Sequence, residues 1–280
     1  TPTPTPIPGT QVGDMMLSQD TTWTVDASPY YVNGTVQIPQ GVTLTVNPGV
    51  VVIMSGGTFK MKGSFVAIGT KNNLISISGK GLLFWGAESS AYLLAGAGGT
   101  IFVQYAQIRD IQRLFKGNSL KAEIYDSHLS DIELDTWIVG GVFTHEQHIN
   151  NINLTIERTV FNNVGTIQAI YSLITLQYNC FNGQAPMYRL QRSSTESETP
   201  NVISFNSIYG VSINEIEREV LRIEPGRTHR LDVNATQNYW DGLAEQDIEK
   251  LILDKNDDIA IDKEVKFLPM LDAPHPDTPD

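Results

Sequence analysis

The chain has 280 residues, of which 41% are hydrophobic and only 18% charged, and its formal net charge is −12. That length suits one large domain with its own core or two small ones. Such acidity excludes attraction to nucleic acid or anionic lipid through a long-range field, argues against anionic polymers such as pectate unless a basic patch or metal ion intervenes, and leaves room for Ca²⁺.

No window of about 18 apolar residues occurs, so no membrane insertion is expected. Cys180 is the only cysteine, which rules out an internal disulfide. Within Gln-Tyr-Asn-Cys-Phe-Asn it occupies a strand position and reads as a buried, inert thiol.

Residues 1–9, TPTPTPIPG, form a Pro/Thr linker. Alternating proline keeps such a segment extended and semi-rigid. With Thr rather than Met at position 1, the chain is expected to be a monomeric module of a longer secreted or surface-attached protein. Residues 10–40 supply Trp23, Tyr30, Tyr31, Val36 and Ile38, bulky groups suited to an N-terminal cap. From Gly41 to Gly79 very short apolar runs follow one another: Val42-Leu44-Val46, Val50-Val52, Phe59-Met61, Phe65-Val66-Ile68 and Ile75-Ile77. Most alternate in steps of two, as a strand with two faces requires. Between them stand Asn47-Pro48-Gly49, Ser55-Gly56-Gly57, Lys62-Gly63-Ser64 and Gly69–Asn73, each rich in turn formers. Strands this short are stable only when successive coils stack and share a core, as in a solenoid.

The run Gly-Val-Thr-Leu-Thr-Val-x-Pro-Gly-Val-x-Val from Gly41, followed by Gly-Ser-Phe-x-Ala-x-Gly-Thr-x-x-x-x-Ile-x-Ile-x-Gly from Gly63, resembles the opening coils of right-handed parallel β-helix domains. These belong to bacterial secreted and cell-surface proteins of the pectate-lyase-like β-helix superfamily. The entry run Ser28-Pro29-Tyr30-Tyr31-Val32-x-Gly34 resembles the same family, as does Asn238-Tyr239-Trp240 with Gly242, where Asp241 is an inserted departure. The resemblance implies an all-β, right-handed parallel β-helix with an N-terminal aromatic cap and a C-terminal cap containing a short helix. It also implies an extracellular location. It implies no activity, since no catalytic motif of pectate lyases, polygalacturonases or mannuronan epimerases is matched.

Residues 80–100 interrupt the rhythm and fit one coil with a loose turn. Beyond them five segments align: IFVQYAQIRDI (101–111), AEIYDSHLSDI (122–132), LTIERTVFNNV (154–164), ITLQYNCFNG (174–183) and NVISFNSIYGV (201–211). Their apolar anchors, Ile108, Leu129, Phe161, Phe181 and Ile208, are spaced 21, 32, 20 and 27 residues apart. That is one anchor per coil, with insertions at Glu133–Asn153 and Ala185–Pro200. Val103, Ile124, Ile156, Leu176 and Ile203 form a second inward column. Ala106, Ser127, Thr159, Asn179 and Asn206 form a third, small or polar and suited to a tight corner, its last two members starting an Asn ladder.

Residues 212–228 read as a short helix or a charged strand pair, and Leu243–Leu253 as an acidic helix of the C-terminal cap. Residues 10–271 are thus expected to form one domain, with coils over 41–211, a last coil and cap over 212–271, and a polar tail at 272–280.

Four constellations could carry chemistry. His145-Glu146-Gln147-His148 has the residue types of a zinc site but neither the spacing nor a third ligand, and reads as a polar loop. Asp254–Asp258 with Asp262 resembles the start of a Ca²⁺ loop, but Ile259 and Val265 stand where an EF-hand needs Gly and Glu, so it reads as an acidic turn. Asp110 and Asp131 share a column and could be an acid pair or two turn residues. Tyr105, Asp126, Arg158, Tyr178 and Phe205 form one outward column, either a sugar-binding strip or a ladder that stiffens the sheet. Asn33, Asn153 and Asn234 begin Asn-x-Thr sequons.

The sequence therefore favours a non-catalytic extracellular module that binds polysaccharide or acts as a cell-surface adhesin. No metal or catalytic residues are assigned, no cofactor is expected beyond room for Ca²⁺, and nucleic acid is not an expected partner. A polysaccharide-degrading lyase or glycoside hydrolase with its groove along the coils is the first alternative, and a structural stalk the second.

Overall fold

The structure is a computed structural model that describes residues 9–86, 99–116, 120–133, 136–139, 152–170, 172–182, 187–192, 200–211, 219–225 and 231–280. Residues 1–8 of the expected linker at 1–9, the His145–His148 cluster, most of both insertions, and residues 212–218 and 226–230 of the pattern at 212–228 lie outside these residues.

Short strands set apart by turn residues follow each other along the chain, and every third one lands beside its predecessor. A nine-stranded sheet takes Thr10–Val12, Tyr30–Val32, Val51–Ser55, Ile75–Lys80, Ala106–Arg109, His128–Ile132, Val160–Val164, Cys180–Asn182 and Ser207–Tyr209 in that order, and is called the first face below. The second face is divided into two five-stranded sheets, from Met15–Met16 to Arg113–Lys116 and from Thr136–Val139 to Ile252–Leu253. A ten-stranded sheet running from Thr21–Trp23 to Val265–Lys266 makes the third face. Every pairing between these strands is parallel. The fold is all-β, built of stacked parallel strands, and fits a parallel β-helix or solenoid.

Strand alternation sends every second side chain inward, and the register stacks like on like. On the first face Tyr30, Val52, Ile77, Ile108, Leu129, Phe161, Phe181 and Ile208 are successive partners in one buried column. On the third face Val46, Ala67, Val103, Ile124, Ile156, Leu176 and Ile203 do the same. Both anchor columns expected from the five aligned segments are therefore present residue for residue. Aromatic rings fill the second face's inner side, with Phe84 lying 5.9 Å from Phe59 and 5.6 Å from Phe115 between ring centres. Nearer the N-terminus Trp23 stacks on Tyr30 at 4.3 Å. Each fully buried side chain of this size contributes about 1.5–3 kcal/mol. Cys180 is buried beside the inward Phe181, its thiol donating to Asn182, and its burial pushes the thiol pKa up.

A polar column runs through the apolar interior. Ser127, Thr159, Asn179, Asn206 and Asn238 are all buried where the third face bends into the first. Each side-chain oxygen accepts the backbone N–H of the equivalent residue one coil earlier: Ala106 to Ser127 (3.1 Å), Ser127 to Thr159 (3.3 Å), Thr159 to Asn179 (3.0 Å), Asn179 to Asn206 (2.9 Å) and Asn206 to Asn238 (2.8 Å). The amides also donate, Asn179 to Ile156 O, Asn206 to Leu176 O and Asn238 to Ile203 O. They link to each other as well, Asn179 to Asn206 at 3.1 Å and Asn206 to Asn238 at 3.0 Å. The expected Asn ladder is present and extends one coil further, to Asn238.

Near the C-terminus the helix is shorter than its sequence suggests. It covers Glu245–Glu249 rather than Leu243–Leu253, because Ile252–Leu253 is drawn in beside Leu221–Ile223 as a strand of the second face. Leu221–Ile223 itself is a strand, so the described end of the 212–228 pattern is extended. Trp240 is fully buried within the core.

Removing one rung of the polar column strands its partners. Asn206→Ala leaves the Asn179 N–H and the Leu176 carbonyl buried without their bonds, at about 1–3 kcal/mol each. The variant should lose about 3 kcal/mol in urea denaturation, whereas Asn72→Ala on an exposed turn should shift stability by less than about 0.5 kcal/mol.

Candidate functional site

Tyr105, Asp126, Arg158, Tyr178 and Phe205 each follow directly on the last residue of a third-face strand, at the corner that leads into the next first-face strand. Their φ angles are 51°, 48°, 49°, 58° and 60°, and Gln237 continues the series at 60°. A single left-handed residue turns the chain through the corner between two strands, and for a side chain larger than glycine this costs about 1–2 kcal/mol. The polar column explains the tolerance. The residue after each of these five corners, from Ala106 through Asn206, has its backbone N–H fixed by a side chain of the next coil. Corner N–H groups bond carbonyls of that coil too, Asp126 to Glu157 O at 3.1 Å and Arg158 to Gln177 O at 3.3 Å. With the backbone so fixed, the corner side chains project outward, half-buried, as one column.

The middle of the column is charged and internally satisfied. Arg158 Nε donates to Asp126 Oδ1 at 2.7 Å, and Gln104 Nε2 donates to Asp126 Oδ2 at 2.8 Å. Arg158 Nη1 reaches Glu157 Oε2 at 3.0 Å, and the guanidinium lies 5.7 Å from the centre of the Tyr125 ring. Burial opposes the Asp126 charge, but the hydrogen bonds from Arg158 and Gln104 outweigh it and hold the carboxyl below its ordinary pKa. The bond to Asp126 raises the Arg158 pKa in turn. Burial, followed by the charges of Glu123 and Glu157, raises the Tyr125 phenol.

The far end is aromatic. Tyr178 and Phe205 stack with ring centres 5.2 Å apart and planes inclined by 14°. His275 packs on both, 4.9 Å from Tyr178 and 5.4 Å from Phe205. The segment that carries it is tied down on either side. Leu271 N donates to Asn238 O, and Thr278 Oγ1 donates to Phe205 O at 3.2 Å. The C-terminal stretch thus crosses the ring pair. Tyr105 stands at the opposite end of the column, half-buried.

Five further residues belong to this surface and were not singled out in the sequence: Gln104, Tyr125, Glu157, Phe102 and His275. Phe102 and Tyr125 face each other at 5.7 Å. Gln104, Tyr125 and Glu157 precede the corner residues by one position, so the alignment of coils held the signal. His275 reaches the column through a tail with no coil pattern, and the sequence held no signal for it.

The other constellations resolve into turns where they are described. Asp110, Asp131, Asn163, Gly210 and Asp241 form a second left-handed column, with φ of 58°, 52°, 53°, 66° and 50°. Asp131 accepts a hydrogen bond from Asn163 at 2.9 Å, and Asp110 pairs with the adjacent Arg109 at 3.2 Å. Asp254 accepts the N–H groups of Asn256 and Val265, each at 2.8 Å, and Asp258 that of Ala260. Among the described residues no group of three or more His, Cys, Asp or Glu is arranged to hold a metal ion. Nor is any helix among them long and apolar enough to cross a membrane.

Comparisons with protein-family models, with curated proteins and with solved structures found no match to this chain.

Because the folded pKa of Asp126 is depressed, its contribution to stability is present above the unfolded carboxylate pKa of about 3.9. It is lost as pH falls through the folded value. The pair with Arg158 is partly exposed, so Asp126→Asn should cost no more than about 1 kcal/mol near neutral pH. In denaturation midpoints measured against pH, the gap between the two proteins should hold steady from about pH 8 to pH 5 and close below about pH 4.

Proposed function

We propose that the chain is a non-catalytic extracellular module, a right-handed parallel β-helix capped at both ends, that binds polysaccharide at a cell surface through its outward corner column. The right hand follows from the strong preference of crossover connections between parallel strands of one sheet. The first coil, with the stacked Trp23 and Tyr30 behind it, covers the N-terminal end of the core. Trp240 and the Glu245–Glu249 helix close the other end. Capping of this kind keeps an edge from pairing with other chains.

One observation carries the functional reading: the parallel Tyr178 and Phe205 rings on an outward-facing corner, with His275 packed against both. A ring pair against which a polar heterocycle packs, inclined at 57° to Tyr178 and 70° to Phe205, offers a sugar ring an apolar surface as well. The neighbouring Asp126–Arg158–Glu157 group supplies polar partners for hydroxyls. An acidic chain of low charge density with rigid stacked coils suits an exposed location, either as a polysaccharide-binding domain or as an adhesin. One feature favours the stalk reading instead: the charged residues of the column are spent on one another, as in a ladder that stiffens a sheet.

Retention on gelled polysaccharides separates the two. Tyr178→Ala should weaken retention about tenfold, as loss of a central aromatic contact does. Deleting residues 272–280 should strengthen it, since the rings would no longer be covered. A stalk would show no retention before or after either change.

A further inference from the structure

A different part of the molecule concentrates positive charge in a chain whose net charge is −12. On the outer side of the second face, Trp85 pairs in register with Lys60 on one neighbouring strand and with Lys116 on the other. The two lysines therefore flank the indole across two strand spacings, about 10 Å. Lys60 Nζ lies 5.2 Å from the centre of the Trp85 ring. Lys80 ends the adjoining first-face strand and is exposed. None of these three lysines forms an ion pair with a described residue.

Beside them opens a cleft of about 560 Å³ lined by Thr58, Lys80, Trp85 and Gln112, with Glu133 the one acidic residue among the described residues of its wall. Gly56, Gly57 and Gly81 form part of its wall. A Cβ on Gly81 would lie 2.8 Å from the Gly57 carbonyl oxygen, and one on Gly57 would lie 2.6 Å from that of Val32. Successive corners thus rest backbone on backbone. Among the described residues this is where an aromatic face, unpaired cations and a concave surface coincide.

We propose that this cleft is a second binding site, separate from the Tyr178–Phe205 strip, for a sugar polymer bearing anionic groups. The anionic group, a uronate carboxylate or a sulfate ester, meets the ammonium groups of Lys60, Lys80 and Lys116. A sugar ring beside it packs on the indole of Trp85, which an unpaired cation already attends. Gln112 and Thr58 offer hydroxyls a hydrogen-bonding partner at the cleft wall. The cluster is local, and the chain as a whole carries a net charge of −12. A long polyanion with no ring to stack, or one that needs an extended basic track, gains little here.

Affinity electrophoresis of the full chain in gels containing polygalacturonate, dextran sulfate, unmodified dextran or double-stranded DNA tests this. Retardation is expected in one or both anionic polysaccharides, and the arm that retards identifies carboxylate or sulfate. It should fade as salt approaches about 1 M, where the screening length is about 3 Å. Lys60→Gln combined with Lys116→Gln should weaken binding about tenfold. Lys80→Gln, on an exposed strand end, should weaken it in the same direction without touching the core. The polymer should also change tryptophan fluorescence in the native chain and not in Trp85→Phe. Tyr178→Ala should leave this binding intact even where it abolishes retention on neutral gels. Equal retardation by unmodified dextran or by DNA, or undiminished binding by the lysine variants, would overturn the proposal.

Discussion

A stack of parallel coils must turn sharply three times per layer without leaving a buried N–H or C=O unpaired. At the bend between the third and first faces this chain meets the requirement with two adjacent residues. One, in the left-handed region, makes the bend and sends its side chain out. The next points its side chain in and accepts the backbone N–H of the layer before it. The coils from Ala106 to Asn238 depend on this pairing. It locks the register, and the register lines up the apolar columns on either side. It also leaves the outward position open to any side chain, which is how Tyr, Asp, Arg and Phe come to share one edge.

The inward series changes along the chain, from Ala106 through Ser127 and Thr159 to Asn179, Asn206 and Asn238. A hydroxyl here accepts one bond from the preceding layer's main chain and returns one to its own strand, as Ser127 and Thr159 do. An amide does more, because it also bonds the amide above it. The two amide-to-amide bonds, Asn179 to Asn206 and Asn206 to Asn238, point the same way, so the first polarises the second. Cohesion between layers is therefore carried by aromatic packing in the N-terminal half, where Phe59, Phe65, Phe84 and Phe115 meet edge and face. Over the last three rungs it is carried by the amide ladder.

Much of this was legible in the residues. The anchors Ile108, Leu129, Phe161, Phe181 and Ile208 align because strand alternation and a coil length of a little over 20 residues are both periodic, and periodicity survives insertions placed in loops. The outward column from Tyr105 to Phe205 was legible for the same reason, and so was Cys180 as a buried thiol. Other features follow from contacts that no period encodes. The Leu243–Leu253 stretch reads as helix, yet pairing with Leu221–Ile223 claims its end. His275 lies in a segment of Asp, Pro and Thr with nothing to announce that it folds back by about three coils' worth of sequence. The lysines around Trp85 sit far apart in the chain. Only the in-register stacking of Lys60, Trp85 and Lys116 reveals a cationic patch.

The ladder at Asn179, Asn206 and Asn238 has a consequence for how such a chain can lengthen. Each rung offers its successor the surface it received from its predecessor, so a whole layer ending in Asn is interchangeable with its neighbours. A duplicated layer spliced in there would find its donor below and its acceptor above already in place, and the molecule would grow taller by one storey with its ends untouched. At Ala106 that exchange fails, because the methyl group offers nothing to a layer beneath it.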